Sequence, residues 1–422
     1  MSLQQIIAII IFLCTMGAII TGKVHNTVAS LTGAACLVLT HILSIEDCID
    51  AVDVETICIL VGMMLLVAVI KNSGIFEYIA IKAAKIAKGR PWPIMVIFIL
   101  ITAVCSGMLD NVTTVLLVGP MTLAITNILK VDPVPYIITQ IMASNIGGTA
   151  TLIGDPPNIM IGSAAKLSFV DFILNTGVAT VFVIIVGLIC MYFIYGRKLF
   201  VTDESIAKVM QLDENKAIKD RKLMHESVIV IILVALCFIF HDQVGVQSCT
   251  VAIAAACIML LIGGQEPEEI IADVEWPTIL FFIGLFIVVG GMKKVGVITM
   301  LANGLISITH GNMVVTMMVI LWVSAIVSSF LDNIPFVATL IPMILTMQSE
   351  GMDVAPIWWA LSLGACLGGN GTLIGASANV VLSGISKNNG HPITFGQYFK
   401  IGFPMMILSI IVCSVFLLIR FA

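Results

Sequence analysis

Apolar stretches of about 20 residues, long enough to cross about 30 Å of hydrocarbon, recur from one end of the chain to the other. Ten read as ordinary membrane spans. Five lie at about 4–20, 25–43, 56–70, 136–165 and 170–195, and five at about 226–241, 246–263, 277–292, 356–385 and 400–419. Two more segments, 93–130 and 312–346, are long enough to enter a bilayer twice, and each carries Asp-Asn near its middle. Each is predicted to be a re-entrant helix–turn–helix hairpin that enters and leaves on one side. The only long polar stretch, 197–225, mixes both charge signs and divides the chain in two. A weaker element, 75–88, places Ile75, Ile79, Ala83 and Ile86 on one helical face with Lys82, Lys85 and Lys88 around it. That pattern predicts a helix lying in the interface with its basic residues toward headgroups.

The halves repeat. Asp53-Val-Glu55 recurs as Asp273-Val-Glu275, after which an offset of 222 pairs Thr56 with Thr278, Gly62 with Gly284 and Gly74 with Gly296. The same offset pairs Leu109-Asp110-Asn111 with Leu331-Asp332-Asn333 and Pro120 with Pro342. It becomes 221 where Gly-Gly-Thr-Ala-Thr-Leu-Ile-Gly at 147–154 meets Gly-Gly-Asn-Gly-Thr-Leu-Ile-Gly at 368–375. The expected domains are therefore 1–196 and 226–422, each five spans plus one hairpin, joined by the 197–225 linker. An odd number of crossings inserts the second copy upside down, giving the all-α inverted repeat of secondary transporters, whose sites lie at the repeat interface.

Composition agrees with lipid as the main solvent. Of 422 residues 59% are hydrophobic and 11% charged, against about 25% charged in soluble domains, and the mean hydropathy is +1.13. The net charge of −5 argues against a nucleic-acid partner. If the N-terminus is outside, sixteen Lys and Arg fall on the cytoplasmic side and four (Lys166, Lys293, Lys294, Arg420) outside. By the positive-inside rule both termini are expected outside a plasma (inner) membrane. Met1 leads straight into an apolar span without a basic n-region or cleavage site, so no removed signal peptide is expected. Most of the eleven Cys sit in apolar spans without CxxC spacing and read as reduced filler. The six His, among them His25 and His241, fall near span ends or in loops without metal-ligand spacing. No cofactor is expected, and no nucleophile–base pattern supports an enzyme.

The candidate chemistry lies at the hairpin tips and in two broken spans. A carboxylate at membrane depth costs at least about 2.5–3.5 kcal/mol, so Asp110 and Asp332 at matched positions point to proton or cation binding. Asn111, Thr113, Thr114 and Asn333 supply neutral polar groups beside them, and each Asp also suits a helix N-cap. Ser144, Asn145, Gly148, Thr149, Thr151, Asp155 and Asn158 occupy a segment that Gly and Pro-Pro keep from being one helix. Asn370, Thr372 and Asn379 occupy its partner. Such breaks are tolerated only where buried or lining a wet cavity. They expose half-helix N-termini that attract anions or oxygen-rich solutes and carbonyls suited to Na⁺. Candidate Na⁺ positions lie near Asp110, Asn145, Asp332 and Asn370. Asp155 faces Ala376 across the repeat, so it is either a turn residue before Pro156 or the group that makes the half-sites differ.

In these motifs the chain resembles the ion-transporter superfamily, within it the arsenite-permease/NhaD-type group that includes the P-protein and plant silicic-acid efflux carriers. The residues concerned are Leu109-Asp-Asn-Val-Thr-Thr114, Ser144 through Asn158, and Leu331-Asp-Asn-Ile-Pro335. The resemblance implies a homodimer, a scaffold from the first three spans of each repeat, and a transport unit that moves like an elevator. Related dicarboxylate carriers bind Na⁺ and carboxylate with Ser-Asn-Thr at each tip, whereas this chain has Asp-Asn. The expectation is a secondary carrier of a small inorganic oxyanion or neutral hydroxide of the arsenite or silicic-acid type, coupled to H⁺ or Na⁺. The alternatives are a Na⁺/H⁺ antiporter and a Na⁺-coupled organic-anion carrier of the citrate or dicarboxylate kind.

Overall fold

The computed structural model describes residues 2–21 and 23–422, with the side chains of 241–244 left out. Met1 and the His241 side chain therefore lie outside the described residues. In chain order the first half comprises α1 (Leu3–Thr21), α2 (Asn26–Leu39), α3 (Ile45–Ala51), α4 (Val54–Lys71) and α5 (Ile75–Ile86). It continues with α6 (Pro91–Met108), α7 (Asn111–Leu129), α8 (Val134–Thr149) and α9 (Pro156–Ala165). The short α10 (Phe169–Phe172) runs through a π turn into α11 (Val178–Ile194). The linker contains α12 (Asp203–Met210). The second half follows as α13 (Arg221–Val244), α14 (Ser248–Ile262), α15 (Pro267–Ala272), α16 (Trp276–Lys294) and α17 (Val297–Ile308), then α18 (Met313–Phe330), α19 (Asn333–Ser349), α20 (Ala355–Gly368), α21 (Ser377–Asn388) and α22 (Phe395–Phe421).

Element for element, the second half reproduces the first. α6 and α7 meet at Leu109-Asp110, and α18 and α19 at Leu331-Asp332, so both segments expected to be hairpins are helix pairs. Each arm of 17 to 19 residues is about 25–29 Å long at 1.5 Å per residue. Contacts between the halves are crosswise: α2 packs on α16 and α4 on α14, while α7 meets α21 and α9 meets α19. Nine helices among the described residues are long and apolar enough to cross a membrane.

The core lies where α8 and α20 meet. Every residue from Tyr136 to Gly148 on α8 and from Pro356 to Gly368 on α20 is buried. By contrast α1, α11 and α13 expose large apolar side chains such as Leu13, Phe182 and Ile229, as helices facing lipid do. Small residues seat each hairpin on its broken helix. A Cβ on Gly147 would stand 2.1 Å from the Ala103 carbonyl oxygen, and one on Gly368 2.6 Å from that of Ala325, so the backbones touch directly.

Ion pairs mark the two ends of the molecule. Lys71 pairs with Asp273 at 2.6 Å and Lys85 with Glu214 at 2.6 Å, which gathers α5, the linker and the start of α16 at one end. Lys294 pairs with Asp47 at the other. Asp47 also caps α3 with Ser44, and the Lys294 ammonium and the Ser44 N–H hold its carboxyl down at about 2.

Four expectations need correcting. The Asp-Val-Glu match is one of sequence alone: Asp53 caps α4 and binds the Thr56 hydroxyl at 2.6 Å, whereas Glu275 precedes α16 and accepts from Thr278 at 3.1 Å. The structural register there is already 222. The α5 helix buries Ile75, Phe76, Ala80, Ala83 and Ala84 against α6, α7 and the linker and leaves Ile86 exposed. Its Lys85 meets Glu214 rather than headgroups, because the linker folds back onto it. The linker ends at Asp220, and polar Arg221–Glu226 already belongs to α13. Finally α3, α15 and α17 were not expected. The α17 helix is the counterpart of α5, and both follow a glycine of positive φ, Gly74 at 82° and Gly296 at 77°, where a side chain would be strained.

Candidate transport site

At each hairpin tip the aspartate caps the departing helix. Asp110 accepts the Val112 N–H at 2.9 Å, the Thr113 N–H at 3.0 Å and the Thr113 hydroxyl, and is 8% exposed. Asp332 accepts the Ile334 N–H at 3.3 Å and, from outside its own helix, the Ser377 hydroxyl at 2.8 Å. Asn111 and Asn333 are the first residues of α7 and α19, and both are buried.

The broken spans are held open by asparagine side chains. After α8 the chain leaves helix at Ala150 and resumes at Pro156, and after α20 it resumes at Ser377. Backbone carbonyls freed in such a break must find donors. Asn158 Nδ2 donates to the carbonyls of Gly148, Thr149 and Thr151 at 3.3, 3.2 and 2.9 Å. Asn379 Nδ2 serves Gly369 and Thr372 at 2.7 and 2.8 Å. The hydroxyls of Thr151 and Thr372 tie each break to its hairpin through the carbonyls of Gly107 and Ser329. Ser106 and Ser328 make matching bonds to Ser144 and Ala365, each at 2.6 Å. Asn158, Asn379, Thr151 and Thr372 are thus structural braces.

The halves differ where α8 and α20 meet. On one side Asn145 Nδ2 donates to Asn370 Oδ1 at 2.9 Å and to Asn379 Oδ1 at 2.8 Å, while its own Oδ1 is buried with no partner among the described residues. The position equivalent to Asn145 is Cys366. Its thiol lies 3.5 Å from Asn158 Oδ1, which also accepts from the Ser362 hydroxyl at 2.6 Å. Asp155, 1% exposed, sits beside Cys366, and Asn333 Nδ2 donates to both its oxygens at 3.3 and 3.2 Å. The Asp155 carbonyl does open a turn, accepting the Asn158 N–H at 2.9 Å across Pro156-Pro157, but the carboxylate is turned away to Asn333. Asp155 holds the cap position of α9 but makes no cap bond with its side chain, because Pro157 offers no N–H and the Asn158 N–H is taken by the Asp155 carbonyl.

Those prolines also correct the expectation that both half-helix starts offer amide donors. The α9 start is poor in N–H groups, whereas Ser377 and Ala378 at the α21 start keep theirs. That better-equipped end borders two clefts of about 510 and 340 Å³. Both are lined by Asp332, Ser377 and Asn26, between the α1–α2 connection and the second hairpin tip. Of the residues expected from sequence, Asp332 is the one lining these clefts. Ser377, Ser362 and Asn26 were missed. Ser377 aligns with Pro156 and so carried no repeat signal. At the opposite end α9 packs on α4, where the Ser163 hydroxyl reaches Asp53 Oδ1 at 2.9 Å. The described residues include no cluster of His, Cys, Asp and Glu suited to a metal.

Apolar spans, paired hairpins with acidic tips, and broken helices braced across the centre define a membrane transporter. The chain belongs to the CitMHS family, described as citrate transporter, which matches residues 16–364. It is 40% identical over 99% of both chains to an uncharacterized transporter of Mycobacterium tuberculosis. It is 33% identical to the P protein of Sus scrofa, over 99% of this chain and 59% of that protein. The fold is similar to that of the Alcanivorax borkumensis YdaH transporter, with a TM-score of 0.58 at 14% identity over 85% of this chain and 84% of the other.

Proposed function

We propose that this protein is a proton- or cation-coupled secondary carrier of a small oxyanion or neutral hydroxide of the arsenite or silicic-acid type, working outward by an elevator movement. The observation that carries this reading is the cleft at Asp332. It sets a carboxylate and a hydroxyl against the N–H groups at the start of α21. A neutral hydroxide donates its O–H to the carboxylate and accepts from the helix end. A multiply charged anion gains from the helix end but meets Asp332, with Asp110 and Asp155 nearby and none of the three in an ion pair among the described residues.

The repeats, read as inverted, supply the alternation. In this conformation the cleft opens at the end marked by Thr21, Asn26 and Thr278, while α9 is closed on α4 at the other. Exchanging the two arrangements would carry the site across. With both termini outside the plasma membrane the open end faces the cytoplasm. A homodimer with the first three spans of each repeat as scaffold, α1, α2 and α4 with α13, α14 and α16, fits this reading.

The acidic tips favour a second reading, Na⁺/H⁺ antiport, and the family description favours a third, a citrate-like carrier. Proteoliposomes loaded with a pH-sensitive dye separate them. Proton movement on adding arsenite or silicic acid supports the leading reading. Movement on adding Na⁺ alone replaces it with antiport, and citrate uptake that requires Na⁺ replaces it with the third.

A further inference from the structure

Asp155 is buried, acidic and unused by the helix it begins. Asp110 and Asp332 each accept backbone N–H bonds from their own helix, so adding a proton to either weakens a cap. The Asp155 carboxylate has no such duty: Pro157 has no N–H, and the Asn158 N–H goes to the Asp155 backbone carbonyl at 2.9 Å, so the side chain makes no cap bond. Its hydrogen-bond partner among the described residues is the Asn333 amide, on both oxygens, with Cys366 beside it. The titratable groups facing it are Cys366 on α20, Asp332 at the tip of α19 and Asp110 at the tip of α7. None brings positive charge. Its mirror position is Ala376, so the transport unit has one such carboxylate rather than two.

Resting on the coupled-carrier reading, we propose that Asp155 takes up and releases the coupling proton, and that Asn333 relays its state to the second hairpin tip. The bookkeeping is local. Ionised, Asp155 accepts from the Asn333 Nδ2 group on both oxygens. Protonated, one oxygen becomes a donor, and the amide turns to offer Oδ1 to that O–H. Asn333 is the first residue of α19 and the neighbour of Asp332, which lines the cleft. Turning this amide therefore alters the hydrogen bonding next to the solute position without any charge crossing the helix ends.

Infrared difference spectroscopy on the full chain in lipid, stepped across neutral pH without solute, tests this assignment. The wild type should show the carbonyl stretch of a buried protonated carboxylic acid that appears as pH falls. Asp155→Asn should lose that band, Asp110→Asn should keep it, and Asn333→Ala should keep it with a shifted midpoint. Should Asp155→Asn fail to fold, Asp155→Glu serves instead: its band must move in midpoint. A band that survives Asp155→Asn, is unmoved in Asp155→Glu, or is absent from the wild type overturns the proposal. Since no solute is present, failure of the carrier reading in the flux assay leaves the band in place, which keeps the two failures distinguishable.

Discussion

Replacing Gly147 by alanine tests how the first hairpin is seated. The added Cβ would fall 2.1 Å from the Ala103 carbonyl oxygen and 2.5 Å from its Cα, against about 3.5 Å for a comfortable non-bonded contact. The obstacle is backbone, so α6 and α8 must separate by roughly 1 Å. Overpacking of this kind costs about 1–3 kcal/mol, and a backbone obstacle argues for the upper end. Alanine returns about 1 kcal/mol in helix propensity, which leaves a net loss of about 2 kcal/mol. Gly187 is the control, because none of the described residues lies within 4 Å of its Cβ position, and there the same change should be neutral or stabilising. Thermal unfolding in detergent should therefore rank Gly147→Ala below the wild type and Gly187→Ala at or above it. Solute flux should fall in Gly147→Ala, because Asp110 rides on the displaced hairpin. A Gly147→Ala protein as stable and active as Gly187→Ala would refute the direct backbone packing of hairpin on broken helix.

Asn158→Ala removes the donor to three break carbonyls and strands the Ser362 hydroxyl. At about 1–3 kcal/mol per unsatisfied buried group, it should destabilise by at least about 2 kcal/mol in thermal unfolding, while exposed Asn389→Ala should stay within about 0.5 kcal/mol. The Asp47 carboxyl, held at about 2 against an ordinary 3.8 by Lys294 and Ser44, contributes stability above its ordinary value that is lost as pH falls through the folded one. Acid titration of stability should show that loss between about 3.8 and about 2 in the wild type and not in Asp47→Asn. Glu214→Lys places like charge against Lys85, so limited proteolysis should cut the linker faster, and adding Lys85→Glu should slow it again.

Much of this arrangement could be read before the structure, because the repeat copies the elements that hold the site. Asp-Asn at matched offsets located both hairpin turns, and Gly with Pro-Pro located the breaks. The α17 helix escaped notice because it lacks the basic residues that drew attention to α5, although the Gly74–Gly296 match marked its start. The face of α5 was misread because periodicity alone cannot anticipate a linker folding back onto the helix. The contact of Asp155 with Asn333 joins residues 178 apart, in different halves and without a repeat counterpart, so no local pattern encodes it. Nor can a repeat say which of its two clefts is open. That is a property of the conformation, visible only in α9 packed on α4 while Asp332 lines a cavity.

Proton movement in dye-loaded proteoliposomes, compared between wild type and Asp332→Asn, probes the cleft site most directly. With arsenite, silicic acid, Na⁺ and citrate added in turn, at least one should drive proton movement through the wild type, and none through an Asp332→Asn protein that elutes like the wild type in detergent. Equal proton movement through both proteins would contradict the placement of the transport site at the second hairpin tip.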